Sequence, residues 1–174
     1  MKTDDHLIAV YNTHEEVADA VRLLTDKKIV EREDISVLGK GEEGEPKDSL
    51  QIDKENADII RWGKEGMIWG GIWGFLTGAF FMWVPGFGPL LAAGPIISSL
   101  AGALGGAAVV GSISALVGWF VDIGVEESDA QHYADLIKEG KLIVLVHGNA
   151  ETVAKAEEAL GTLNTGDIKV YNKA

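Results

Sequence analysis

Apolar and polar positions follow regular spacings at both ends of the chain and lose them in the middle. Leu7–Asn12 (LIAVYN) is a short apolar, β-branched run that predicts a strand. Thr13 then predicts the N-cap of a helix over Glu15–Lys28, where Val17, Ala20, Val21 and Leu24 recur at helical spacing and give one apolar face. Asp34–Leu38 (DISVL) predicts a second strand. Three glycines, a proline and mixed charge make Gly39–Ser49 a solvated linker, and Leu50–Lys64 follows as an amphipathic helix with Ile52, Ile59 and Trp62 near one face. Toward the other end, Glu126–Lys138 predicts a helix closed by Gly140. Lys141–His147 (KLIVLVH) predicts the strongest strand, Ala150–Leu163 a helix with Val153, Ala156 and Leu160 on one face, and Asp167–Tyr171 a last strand.

The two ends repeat one another. Leu7-Ile8 matches Leu142-Ile143; after a one-residue shift Val17-Ala18 and Ala20 match Val153-Ala154 and Ala156; Asp34-Ile35 and Val37 match Asp167-Ile168 and Val170. A repeated strand–helix–strand unit predicts an α+β fold of the split, ferredoxin-like kind, with four strands in one layer and helices on the other. The expected organisation is an N-terminal βαβ half at 1–40, a linker and lead-in helix at 41–65, a hydrophobic insert at 66–121, and a C-terminal αβαβ half at 122–174 that completes the sheet.

The insert runs from Gly66 to Val121 without one Asp, Glu, Lys, Arg or His. Two apolar segments, Gly66–Val84 and Ile96–Val121, flank a connection rich in turn residues at Pro85, Gly86, Gly88, Pro89, Gly94 and Pro95, which predicts a helical hairpin. As helices they would measure roughly 28 Å and 39 Å, enough to cross a hydrocarbon core of about 30 Å. Gly66, Gly70, Gly74 and Gly78 lie four apart on one stripe. The second segment answers with Ser98, Gly102 and Gly106, continued by Ser114 and Gly118, beside the row Ser99, Ala103, Ala107, Gly111 and Ala115. Each glycine costs a helix about 1 kcal/mol relative to alanine, so close helix packing is the physical reason for so many. Trp62, Trp69, Trp73, Trp83 and Trp119 suit an interfacial belt, or ordinary core packing. Two arrangements bury such a hairpin: a bilayer, with both charged halves on its cytoplasmic side, or a soluble assembly of several copies.

Charge narrows the partners. A net charge of −12 excludes a phosphate backbone, which needs a clustered excess of Lys and Arg. The absence of cysteine removes disulfides, thiol nucleophiles and thiolate metal sites. The opening MKTDDHLIAVYN lacks the apolar run of a cleaved signal. His6, His14, His132 and His147 have no metal-ligand spacing; His132 beside Glu126, Glu127 and Asp129 offers at most a weak cation contact on a solvated helix face. Neither GKGEEGE nor GNAET has the lysine and spacing of a phosphate loop. No catalytic, cofactor or metal residues are assigned.

The connection PGFGPLLAAGP at Pro85–Pro95, the glycine-rich run after it, and GVEESDAQHYADLIKEGKLIVLVHG at Gly124–Gly148 resemble a family of small bacterial heat-induced general stress proteins with a glycine-rich hydrophobic centre. Val125 departs from that pattern, which has a proline before the acids. The resemblance implies a stress-associated, membrane-linked protein without established catalytic residues. The expectation from the whole chain is a non-enzymatic homo-oligomer that meets membrane lipid; a soluble self-assembling scaffold or a regulatory ligand-binding module are the other readings.

Overall fold

The computed structural model describes residues 5–40, 80–84, 88–94, 113–163 and 167–172. The first strand, β1 (Asp5–Tyr11), leads into α1 (His14–Asp26) through a capping box. The Glu16 amide donates to Thr13 Oγ1 at 3.2 Å, while the amides of Thr13 and Asn12 donate to Glu16 Oε2 at 3.1 and 2.8 Å. These bonds satisfy amides at a helix start that have no partner inside the helix. A single 3-10 turn at Arg32–Asp34 then starts β2 (Ile35–Lys40).

In the C-terminal part, α2 (Ile113–Asp122) is followed by α3 (Glu127–Lys138), β5 (Leu142–Gly148), α4 (Ala150–Leu160) and β6 (Ile168–Tyr171). Gly140, at φ 93°, ends α3 in the left-handed region that a side chain would resist. Asn149 caps α4, accepting from the Thr152 amide at 2.8 Å.

The fold is α+β with an antiparallel sheet. Its order is β3-β4-β2-β5-β1-β6, with β3 (Phe80–Val84) and β4 (Gly88–Ala93) added beyond the β2 edge. Tyr171 and Lys169 of β6 reach α3, so their register partners His6 and Ile8 face α2 and α3. Leu7, Ala9 and Tyr11 alternate with them, toward α1 and α4, and are equally buried. Helices therefore cover both faces of the sheet, where the repeat alone predicted a single helical layer. Burial on both sides also explains why β1 and β5 read as continuous apolar runs.

The insert departs from the expected helical hairpin. Phe80–Val84, placed at the end of the first helix, is a strand, and Gly88 and Pro89, placed in the turn, open another. The pair forms a β-hairpin whose register runs from Phe80–Ala92 to Val84–Gly88. β4 in turn pairs with β2 from Val37–Ala93 to Lys40–Leu90. An apolar run buried in a sheet has no helical period, and an apolar run without period looks the same as a buried helix. Two glycines sit where neighbours come close. At Gly39, assigned to the linker but lying within β2, a Cβ would sit 2.3 Å from Leu142 Cδ2; at Gly94, with φ 113°, it would sit 2.4 Å from the Ile35 carbonyl oxygen. The second segment ends as a helix, α2, as expected. The amphipathic helix at Leu50–Lys64 lies outside the described residues.

Candidate functional site

The described part of the charge-free insert reaches the surface on α2. Leu116, Trp119 and Phe120 turn inward and are buried; Ser114, Gly118 and Val121 are exposed. Positions 114, 118 and 121 share one side of a helix. Val121, 42% exposed, is the exposed large hydrophobic residue among those described. A Cβ on Gly118 would meet nothing within 4 Å. The small-residue row thus ends on solvent, with no neighbouring helix of the same chain against it among the described residues. Trp119, expected at an interface belt, is instead a core residue whose ring lies 4.9 Å from that of Phe120 at a tilt of 57°.

Behind α2 an aromatic and polar chain ties the helices to the sheet edge. Phe120 lies 5.7 Å from the Tyr133 ring, which meets Tyr171 edge-on at 6.3 Å. The Tyr171 hydroxyl donates to Asp129 Oδ2 at 2.9 Å, so it accepts from the Tyr133 hydroxyl at 2.8 Å. Lys169 bonds the same Asp129 oxygen and lies 5.4 Å over the Tyr171 ring. Its hydrogen bond holds the Asp129 carboxyl below the usual range, and Asp129 raises the Lys169 ammonium in return. Burial pushes both phenols upward. At neutral pH the group is therefore a carboxylate, an ammonium and two neutral phenols, a set that bonds well and has neither a base nor an acid poised near neutrality. Lys169 occupies the place a weakly bound cation beside Asp129 would take.

Two of the four histidines lie on neighbouring strands of the sheet. His6 and His147 are directly paired across β1 and β5, and His147 Nε2 is 3.3 Å from Asp34 Oδ1. Among the described residues, His147 Nδ1 is buried without a hydrogen-bond partner. Burial lowers His14 to about 4. His132 lies 6.1 Å from Tyr133 on α3. Among the described residues, no three His, Asp or Glu side chains form a metal-ligand set, and no helix is long and apolar enough to cross a membrane.

Comparison with protein-family models, with curated proteins and with solved structures gives no match. The surfaces and contacts of this chain must therefore carry its functional reading.

Of the predicted packing positions, Gly118 is exposed on α2, while Gly66, Gly70, Gly74, Gly78, Gly102, Gly106 and Gly111 lie outside the described residues. Of the turn positions, Gly88 and Pro89 are in β4 and Gly94 ends it; Pro85, Gly86 and Pro95 lie outside. Trp83 is in β3, and Trp62, Trp69 and Trp73 lie outside. Sequence reasoning missed the group of Asp129, Tyr133, Lys169 and Tyr171. Its members come from a helix and a strand some 40 residues apart. The alternation of Ile168 and Val170 with Lys169 and Tyr171 was the one local signal that a second face of β6 had contacts to make.

Proposed function

We propose that the protein is a non-enzymatic, self-assembling protein: a split ferredoxin-like domain whose charge-free segment joins copies of the chain. The domain reading is supported by the connectivity of the four inner strands. β1 and β2 both run antiparallel to the β5 between them, and β5 and β6 both run antiparallel to the β1 between them. Each strand–helix–strand half thus places its two strands one apart and interleaves with the other half. The observation that carries the assembly reading is the exposed, uncharged side of α2 at Ser114, Gly118 and Val121, in a chain of net charge −12. A small-residue face gives a partner helix close backbone approach and little to recognise by charge. The place in stress physiology comes from the resemblance alone.

A lipid bilayer is the competing occupant of the same segment. The strand at Phe80–Val84 weakens it, because these five residues belong to the sheet and are withdrawn from the first would-be spanning helix. The test is light scattering on size-exclusion fractions of the full chain, from cytosol and from membranes, with and without detergent. A particle of several copies in detergent-free buffer supports assembly. Recovery only in detergent favours the bilayer, and a single 18.6 kDa species in plain buffer sinks the proposal.

A further inference from the structure

The two outer strands of the sheet are built differently. β6 is four residues long and carries Lys169, bound to Asp129. A short edge bearing a lysine is a common guard against pairing with another chain. β3, on the far side of β4, is the sequence FFMWV, without a charge or a proline. Among the described residues nothing pairs with its outer side.

The register tells which of its backbone groups face outward. Trp83 is opposite Pro89, which has no N–H to give, so this pair is a non-hydrogen-bonded one of the ladder. By alternation, Met82 and its neighbours two residues away bond to β4, and Phe81 and Trp83 turn N–H and C=O outward. Unpaired groups of this kind, on a strand without charge, are a template for another strand.

We propose that the outer edge of β3 pairs antiparallel with β3 of a second copy, about a twofold axis at Met82. This adds a contact, separate from the outer side of α2, to the self-assembly argued above and rests on that reading. In this arrangement Phe81 of each copy lies opposite Trp83 of the other. Both are outward residues, so the two pairs exchange roughly four backbone hydrogen bonds. Charge selects the place. Two chains of net charge −12 repel, and β3 lies in the segment Gly66–Val121 that carries no charge at all. An antiparallel strand also pairs with its own copy without any second sequence to complement it.

Phe81→Pro tests the edge selectively, because it removes an outward donor and leaves the bonds to β4 in place. In the full chain, light scattering over a concentration series is expected to show the dissociation midpoint moving up at least about tenfold, with circular dichroism unchanged. Phe81→Lys, which keeps the amide and adds an edge charge, is expected to act in the same direction and is the variant to read if Phe81→Pro does not fold. Amide exchange in the unmodified protein gives a separate reading. Protection of Phe81 and Trp83 that appears only as the chain assembles supports the pairing. Protection already complete in single copies means that the same chain covers the edge and overturns it. Unchanged assembly in a folded variant overturns the β3 contact while self-assembly stands; a chain that remains single at every concentration removes both.

Discussion

The two helical layers close on the sheet by different means. In the layer of α1 and α4, both helices start on side-chain caps, Thr13 and Asn149, and bury small aliphatic faces: Val17, Ala20, Val21 and Leu24 on one, Val153, Ala156 and Leu160 on the other. In the layer of α2 and α3, Glu126 offers no side-chain cap, and closure depends on Trp119, Phe120, Tyr133 and the distant Tyr171. The first layer is stabilised by devices near in sequence and turns a charged surface outward. The second is tied to an edge strand by a few specific contacts and turns the uncharged side of α2 outward. The contrast is confined to α2, because the outward residues of α3, among them Glu127, Gln131, Asp135 and Lys138, are as polar as those of the first layer.

The largest test of this contrast is Phe120→Ala. Phe120 is fully buried and bridges Trp119 and Tyr133, so the substitution is expected to cost about 3–5 kcal/mol by urea unfolding. A loss under about 1 kcal/mol would mean that α2 is held by something other than the aromatic chain. Next is Tyr171→Phe, which takes a donor from Asp129 and the acceptor from Tyr133, for about 1–3 kcal/mol. Lys169→Met should cost less, since that ammonium is exposed to solvent. If the two variants were equal, the ion pair and not the phenol relay would be the tie to β6.

Acid separates the layers. Burial holds His14, on α1, at about 4 in the folded chain against an ordinary 6.5, so between these values the unfolded chain binds a proton that the folded chain does not. Its contribution is present above pH 6.5 and drains away toward pH 4; allowing for partial solvent contact it amounts to about 1 kcal/mol. Asp129, on α3, is lowered from 3.8, so its contribution is intact through that window and is lost only as the pH falls further, through its folded value. His14→Gln should therefore flatten the decline of urea-unfolding stability between pH 6.5 and 4.5. A slope as steep as that of the unmodified protein would assign the decline to other groups.

How much of this was legible in the sequence depended on whether a contact is local. The strands β1, β2, β5 and β6 and the helices α1, α3 and α4 follow from apolar spacing, and Thr13 announces its own cap. The duplication that links Leu7-Ile8 to Leu142-Ile143 also pointed to two alike halves. Phe80–Val84 did not announce itself. Five apolar residues have neither a 2-residue nor a 3.6-residue period, and the length of the surrounding run favoured a helix. The contacts across β1 and β5, such as His6 with His147, depend on register, which no short pattern specifies. Trp119 was misassigned for a related reason: tryptophan is apolar with one polar edge, so composition suits a lipid interface and a protein core alike.

The smallest expected effect on the single chain is the one that bears most on the outer side of α2. Gly118 lies inside the helix, and a Cβ there meets nothing within 4 Å, so Gly118→Ala should stabilise the folded chain by up to about 1 kcal/mol through helix propensity. Gly118→Leu should also be tolerated by the single chain, with a bulkier side chain standing out from α2. If α2 packs on another copy through its small-residue row, Gly118→Leu will keep the unfolding midpoint and reduce the assembled mass, because a gain within one chain and a clash between two have opposite signs. If the assembled mass is unchanged, α2 is not a contact, and the β3 edge is left to account for assembly without it. Measuring urea unfolding and light scattering on the same preparation separates these outcomes, since only the second responds to what lies outside the chain.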